Sequence, residues 1–318
     1  MGLQHAWIHG FKQVPLKTFH KGRNLKKDPL SFKPNEEMPK VVRAFNELSP
    51  REWTRLSKSV WPAREVSSPR ARYHLEHGAT FSVALAERVI KIYTRKGDLV
   101  LDPFLGTGTT LVAAKRLGRK GIGIELYEKF VNIAKKLLAQ QTLIDGPEQI
   151  VICDDCRNLL KYVEPNSVQL MLTSPPYANF IYRAVEDRKK THKKSWLVIE
   201  NRSVVKPYGD DPRDFGNLPY DKYLKEIELL MQKLFIVTKP GGYNVWVVKD
   251  CRDPPKRPLV PFHADIARIG EKVGFIWHDL IIWDQNEQRR LVLLGYPSVF
   301  YVNINHTFLV VLRKPIGG

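Results

Sequence analysis

Residues 98–117 read DLVLDPFLGTGTTLVAAKRL and decide the fold of this chain. The apolar run that closes at Asp102 predicts a buried strand, and the apolar stretch after the threonines predicts a helix. Gly106 and Gly108 lie in the turn between them, where they let a ligand approach the backbone closely. No G-x-x-x-x-G-K-[ST] pattern is present, which argues against a P-loop. The next predicted strand ends at Glu125, which is either a solvated strand end or a carboxylate placed to bind ribose hydroxyls.

A second informative stretch is Thr173-Ser174-Pro175-Pro176-Tyr177, directly after the apolar run 168–172. Both prolines lack an N–H and have a fixed φ, so the backbone carbonyls are held outward and free to accept hydrogen bonds. The Ser174 hydroxyl can also accept, and Tyr177 offers a flat face for stacking. An ordinary Pro-Pro turn is the alternative. The pattern suits a planar ring that carries an NH₂ group.

Together these two stretches resemble the S-adenosylmethionine-dependent amino-methyltransferases of nucleic acids, over roughly residues 75–314. The Ser-first form of the proline motif is the one usual in N4-cytosine enzymes, whereas adenine enzymes more often carry Asp. The resemblance implies an α/β, Rossmann-like class I methyltransferase fold with S-adenosyl-L-methionine as cofactor. It implies a mostly parallel doubly wound sheet closed by an antiparallel hairpin. It also implies that Ser174, Pro175, Pro176 and Tyr177 are catalytic, and that Asp102, Phe104, Gly106, Gly108, Thr109 and Glu125 bind the cofactor.

Three further segments resemble the same family. Residues 77–81 lie where the family has the segment that binds the carboxylate of the cofactor, although the family's usual Lys-Pro pair is missing here. Their position makes Thr80 a cofactor-binding candidate. Asp155, after the predicted strand 149–152, resembles the residue that contacts the cofactor's adenine. Residues 306–314 resemble the family's last strand.

The charge of the chain predicts a nucleic-acid partner. The formal net charge is +18, and Lys and Arg bind nucleic acid by releasing counterions from phosphates. Residues 1–73 hold 15 Lys and Arg against 6 Asp and Glu, and residues 183–206 hold 8 against 3. The second segment follows the proline motif, so it is either a solvated loop or a grip on the backbone around the target base. Its nucleic-acid-binding candidates are Arg188, Lys189, Lys190, Lys193, Lys194 and Trp196.

The substrate is expected to be cytosine N4 in nucleic acid. Few residues are available to recognise a DNA sequence, which slightly favours a structured RNA such as ribosomal RNA. The alternative is a DNA N4-cytosine or N6-adenine methyltransferase. Less favoured are a protein-glutamine methyltransferase, which usually has Asn in place of Ser174, and a nucleic-acid-binding module without catalysis. Trp53 and Trp61, among basic residues, either stack on bases or pack in a small core.

The expected organisation is a basic N-terminal extension, residues 1–73, and a catalytic domain, residues 74–318, with a basic substrate-binding insertion at 180–219. Helices are predicted at 220–237 and 262–273, and a short helix at Pro50 with Ser49 and Glu52 as a capping box. No apolar stretch reaches the length of a membrane span and no signal-peptide core is present, so a cytoplasmic protein is expected. The three cysteines include no second pair that would complete a zinc site. No metal is expected.

Overall fold

The computed structural model describes residues 46–67, 81–141, 146–180, 208–253, 258–288 and 301–317. The strands of its central sheet are β1 (Val60–Pro62), β2 (Leu99–Asp102), β3 (Lys120–Glu125), β4 (Gln149–Cys153), β5 (Val168–Thr173), β6 (Thr238–Val248), β9 (Ile276–Asp284) and β10 (His306–Arg313). These eight strands lie in the order β1-β9-β10-β6-β5-β2-β3-β4. A separate small hairpin joins β7 (Cys251–Arg252) to β8 (Leu259–Val260).

The sheet is parallel from β4 to β6, and β10 is antiparallel to both of its neighbours. The strand order reverses between β2 and β5, so the chain winds in both directions from β2. This confirms the predicted Rossmann-like α/β fold with a closing antiparallel hairpin. In such sheets ligands bind at the carboxyl ends of the strands, beside the point where the order reverses. Asp102 and Thr173 end the two strands at that point.

Helices cover both faces of the sheet. The helices are α1 (Pro50–Leu56), α2 (Ala63–Val66), α3 (Val83–Tyr93), α4 (Thr109–Arg116), α5 (Glu128–Ala139), α6 (Tyr220–Val237) and α7 (Phe262–Val273). Along β5, Leu170 and Leu172 pack with α3 and α4, while Met171 packs with α6 and α7. This alternation is the period of two expected for a strand buried on both faces. None of the described helices is long and apolar enough to cross a membrane.

The predicted bounds of α6 and α7 are confirmed, and so is the capping box of α1. Ser49 Oγ accepts from the Glu52 backbone N–H, and the Glu52 carboxylate accepts from Ser49. Strand β6 begins at Thr238, directly after the last residue of α6. Its pairing with β5 jumps from Thr238 to Tyr243, because the Lys-Pro-Gly-Gly segment between them bulges out of the register.

The described part of the predicted N-terminal extension, residues 46–67, is built into the catalytic domain. Strand β1 pairs in parallel with β9, and the Trp61 ring is fully buried with the Arg88 guanidinium 4.2 Å from its centroid. Arg88 also bonds Glu65 and the Leu56 carbonyl, both at 3.0 Å. These contacts pack β1, Trp61 and Glu65 against β9 and Arg88 of the catalytic domain, whereas the sequence analysis had placed the domain boundary after residue 73. They also make Trp61 a core residue.

Candidate active site

Asp102 ties together the three segments that carry the sequence motifs. Its Oδ1 accepts from Thr173 Oγ1 at 2.6 Å and from the Phe104 backbone N–H at 3.1 Å, and its Oδ2 accepts from Thr110 Oγ1 at 2.6 Å. Burial raises the pKa of this carboxyl to about 6, although all three bonds lower it. The Asp102 carboxylate therefore fixes the end of β2 to the start of α4 and to the end of β5.

The glycine turn after β2 requires glycine for two reasons. Gly106 and Gly108 have φ of 54° and 89°, which is the left-handed region that favours glycine. A Cβ on Gly108 would also lie 2.9 Å from the Cβ of Ala134 on α5. Beside it, the buried Thr109 Oγ1 has no hydrogen-bond partner in the described part of the chain. The turn thus brings a helix N-terminus and an unsatisfied hydroxyl close to the carboxyl ends of the strands.

Glu125 ends β3 with its carboxylate buried. Its Oε2 accepts from the Gly106 backbone N–H at 2.8 Å and its Oε1 from the Tyr127 backbone N–H at 2.9 Å. Burial raises the pKa of this carboxyl to about 7, and the nearby Asp102 and Asp214 add to the rise. The carboxylate is held in a fixed orientation at the strand end, as the ribose-binding interpretation requires.

A cleft opens between the ends of β2, β3, β4 and β5, enclosing about 530 Å³ of space that is partly open to solvent. Five predicted site residues line it: Phe104, Glu125, Asp155, Ser174 and Pro176. Asp102, Gly106, Gly108, Thr109, Pro175 and Tyr177 are not among the lining residues. The cleft therefore joins part of the cofactor motif to part of the proline motif in one space.

Asp155 lies in the wall formed after β4. Its Oδ1 caps the following 3-10 turn by accepting from the Arg157 N–H, and its Oδ2 pairs with the Arg157 guanidinium at 2.8 Å. Cys156 beside it is buried, and burial raises the pKa of its thiol well above the usual value. Cys153 and Cys156 are both free thiols, and no metal-binding cluster of His, Cys, Asp or Glu occurs among the residues that the structure describes.

Tyr177 lies just beyond the cleft lining. Its ring packs edge-on against Phe262 of α7, with 5.4 Å between centroids. The next residue, Ala178, has a φ of 44°. Left-handed backbone at a residue other than glycine is a strained conformation that is often found at functional sites. The chain turns sharply immediately after the proline motif.

The cleft contains residues that the sequence analysis missed. They are Tyr127 and Phe130 after β3, and Tyr208, Arg213, Asp214 and Phe215 before α6. Tyr127 carried one available signal, its position two residues after Glu125. The last four belong to the predicted insertion, where charge was the only pattern considered. Thr80, Arg188, Lys189, Lys190, Lys193, Lys194 and Trp196 lie outside the described residues.

Comparison with known proteins supports a relationship to one family. Residues 15–136 match a family described as DNA methylase, a range that includes the glycine turn and Glu125. The chain is related to the S-adenosylmethionine-dependent amino-methyltransferases of nucleic acids. The Type II methyltransferase M.BglI of Bacillus subtilis is 41% identical over 33% of this chain and 28% of its own length. M2.DpnII of Streptococcus pneumoniae is 54% identical over 26% of this chain and 30% of its own length.

These matches span less than a third of each curated relative. Among solved structures, a DNA modification methylase of Thermus thermophilus, in complex with S-adenosyl-L-methionine, is 25% identical. The similarity covers 51% of this chain and 53% of that one, with a TM-score of 0.33. The DNA methylase description supports the DNA alternative better than the expected preference for RNA.

Proposed function

We propose that this amino-methyltransferase transfers a methyl group from S-adenosylmethionine to the exocyclic N4 amino group of cytosine in DNA. One observation carries the proposal: Ser174 and Pro176 of the proline motif line the same cleft as Glu125. An acceptor for an amino group and a carboxylate suited to ribose hydroxyls therefore face one space. The proposal takes the DNA alternative because of the family match, and cytosine N4 because Ser, not Asp, opens the motif.

The cleft suits the cofactor. Glu125 would hold the ribose hydroxyls, and the apolar side chains of Phe104 and Ile124 would flank the adenine beside Asp155. The unsatisfied Thr109 hydroxyl adds a buried polar group beside the glycine turn, one that still needs a partner. When bound, S-adenosylmethionine supplies an electrophilic methyl group on a sulfonium centre.

The proline motif would orient the amine. The lone pair of cytosine N4 is delocalised into the ring, so the amine is a poor nucleophile until its N–H bonds are held out of plane. Ser174 Oγ and the Pro175 carbonyl would accept hydrogen bonds from the two N–H groups and turn the lone pair toward the methyl group. Positioning of this kind is worth roughly 7–11 kcal/mol when the bound geometry is close to that of attack.

Tyr177 would hold the target base after it has left the helical stack, as enzymes acting on bases require. Stacking contributes about 1–3 kcal/mol per base. The bond from Thr173 to Asp102 fixes the strand end from which both Ser174 and Tyr177 project. The basic residues of the insertion would then contact the phosphates on either side.

The test is transfer of labelled methyl from S-adenosylmethionine to duplex DNA and to unmodified ribosomal RNA, followed by nucleoside analysis. Label in N4-methyldeoxycytidine is the expected result. Label in N6-methyldeoxyadenosine would refute the cytosine assignment, label only in RNA would refute the DNA assignment, and no label in either would refute the activity.

The Ser174→Ala variant tests the role of the hydroxyl. We expect about a hundredfold slower transfer, by analogy with removing one hydrogen-bonding group from a transition-state site, with cofactor binding unchanged. Ser167→Ala is the matched control, because Ser167 flanks the other end of β5 and its hydroxyl donates to the Glu164 carbonyl of its own turn, at 2.6 Å. Equal losses of transfer and of cofactor binding in Ser174→Ala would contradict the assigned role.

A further inference from the structure

Residues 208–217, here named the 208–217 segment, form one wall of the cleft. Tyr208, Arg213, Asp214 and Phe215 line it. The Phe215 ring packs edge-on against Phe104, with 5.2 Å between centroids. The Tyr208 ring packs edge-on against Phe130 of α5, with 5.7 Å between centroids. This wall comes from a distant part of the chain and contacts Phe104 after β2 and Phe130 of α5.

A partly buried hydrogen bond fastens the segment to Tyr127, which lies two residues after the end of β3. Tyr127 Oη donates to Asp214 Oδ2 at 2.9 Å, while Asp214 Oδ1 accepts from the Gly216 backbone N–H at 2.7 Å. Asp214 is 5% exposed, and burial raises the pKa of its carboxyl. Because a buried carboxylate without partners is costly, Asp214 depends on these two donors. The bond therefore holds the segment in a defined position.

The fit around Tyr127 is close. A Cβ at Gly209 would lie 2.6 Å from the Tyr127 ring, so only glycine allows the segment to approach that closely. The Lys129 ammonium, near the start of α5, donates to the Tyr208 carbonyl. Asn217 closes the segment on itself by donating to the Asp211 carbonyl at 2.9 Å. The segment is thus an ordered structure fastened at several points.

Tyr127 also joins this wall to the predicted ribose site. Its backbone N–H donates to Glu125 Oε1, and its side chain donates to Asp214. One residue therefore orients the carboxylate at the end of β3 and holds the wall of the same cleft. A ligand bound by Glu125 in this cleft would lie beside that wall.

We propose that the Tyr127–Asp214 hydrogen bond holds the 208–217 segment as a retaining wall over bound S-adenosylmethionine, with Tyr127 and Asp214 as positioning residues. The inference rests on the proposed function for the identity of the ligand. Without this hydrogen bond the 208–217 segment would separate from Tyr127 more often. The cofactor would then dissociate faster, although the groups that bind it stay in place. Loss of a hydrogen bond to a charged group predicts roughly tenfold faster dissociation.

The experiment compares Tyr127→Phe with a matched control. Tyr162→Phe removes a similar tyrosine–aspartate bond, Tyr162 Oη to Asp154 Oδ2 at 2.7 Å, from a residue that does not line the cleft. Dissociation of S-adenosylmethionine is followed by stopped-flow displacement with S-adenosylhomocysteine. Tyr127→Phe should dissociate about tenfold faster than the wild type, and Tyr162→Phe at the wild-type rate. Asp214→Ala is the second variant and should behave as Tyr127→Phe does.

Amide hydrogen exchange in the cofactor-free protein tests the wall by itself. The Gly216 and Asn217 amides should exchange faster in Tyr127→Phe and stay unchanged in Tyr162→Phe. If amide exchange in Tyr127→Phe equals that of the wild type, the hydrogen bond does not hold the segment. If dissociation of S-adenosylmethionine is unchanged in this variant, the segment does not retain the cofactor. A third outcome is that the wild type binds no cofactor while amide exchange still responds to Tyr127→Phe as expected. That result would refute both the proposed function and the retention of the cofactor, but it would support the claim that the hydrogen bond holds the 208–217 segment.

Discussion

Replacement of Glu125 by Gln should remove a pH dependence from the stability of the protein. Burial holds the pKa of the Glu125 carboxyl at about 7 in the folded protein, against an ordinary value of 4.5. The folded state therefore binds this proton more tightly than the unfolded state does, and stability falls as pH rises from about 4.5 to 7. At about 1.36 kcal/mol per pKa unit, the loss from this group amounts to about 3 kcal/mol.

The assay is urea unfolding of the wild type and of Glu125→Gln at several pH values between about 4.5 and 8, which bracket the two pKa values. A glutamine loses one of the two backbone hydrogen bonds, but that cost does not depend on pH and leaves the slope intact. The free energy of unfolding of the wild type, relative to the variant, should fall by about 3 kcal/mol across this range. Glu164→Gln, at an exposed position, is the control and should parallel the wild type. The contrary result is a difference in free energy of unfolding between the wild type and Glu125→Gln that stays constant to about 0.5 kcal/mol across the pH range. That result would refute the reasoning, because it would mean that the carboxylate is solvated or paired with a cation.

Two further substitutions test the polar groups around the cleft. Thr173→Val deletes a bond to the Asp102 carboxylate, so it should cost about 2 kcal/mol at pH 8 and less at pH 5, below the Asp102 pKa of about 6. Urea unfolding at both pH values measures this, and an equal loss would contradict the charged bond. Tyr223→Phe removes a fully buried hydroxyl without a hydrogen-bond partner in the described structure. It should raise the free energy of unfolding by about 1 kcal/mol, and a decrease would mean that the hydroxyl has a partner such as a buried water.

The parts of the fold that the sequence predicted are those with local causes. The bounds of α6 follow from an apolar period between Pro219 and the Lys-Pro-Gly-Gly segment, and the start of α1 follows from a capping box within four residues. In each case the residues that determine the element lie within or next to it.

The parts that were missed depend on contacts between distant residues. Strand β1 has three residues, too few for a period of two, and its place in the sheet is set by β9, more than 200 residues away. The hydrogen bonds that Asp102 accepts from Thr110 and from Thr173, which is 71 residues away, were not predicted. No sequence pattern predicts the bond between Asp102 and Thr173, because it forms only when the parallel sheet brings the ends of β2 and β5 together.

The 208–217 segment illustrates the same limit and what it implies for substrate binding. The hydrogen bond that Tyr127 donates to Asp214 joins residues 87 positions apart. The sequence analysis treated the segment only as part of a basic insertion. In the chain it follows the residues proposed to contact phosphates, and Leu218 and Pro219 connect it to α6. Nucleic acid bound by the insertion would therefore act on a segment that is fastened beside Glu125. Because binding couplings are reciprocal, nucleic acid that favours the fastened position should slow cofactor dissociation. Tyr127→Phe should weaken that effect, since it removes the bond through which the two sites are joined.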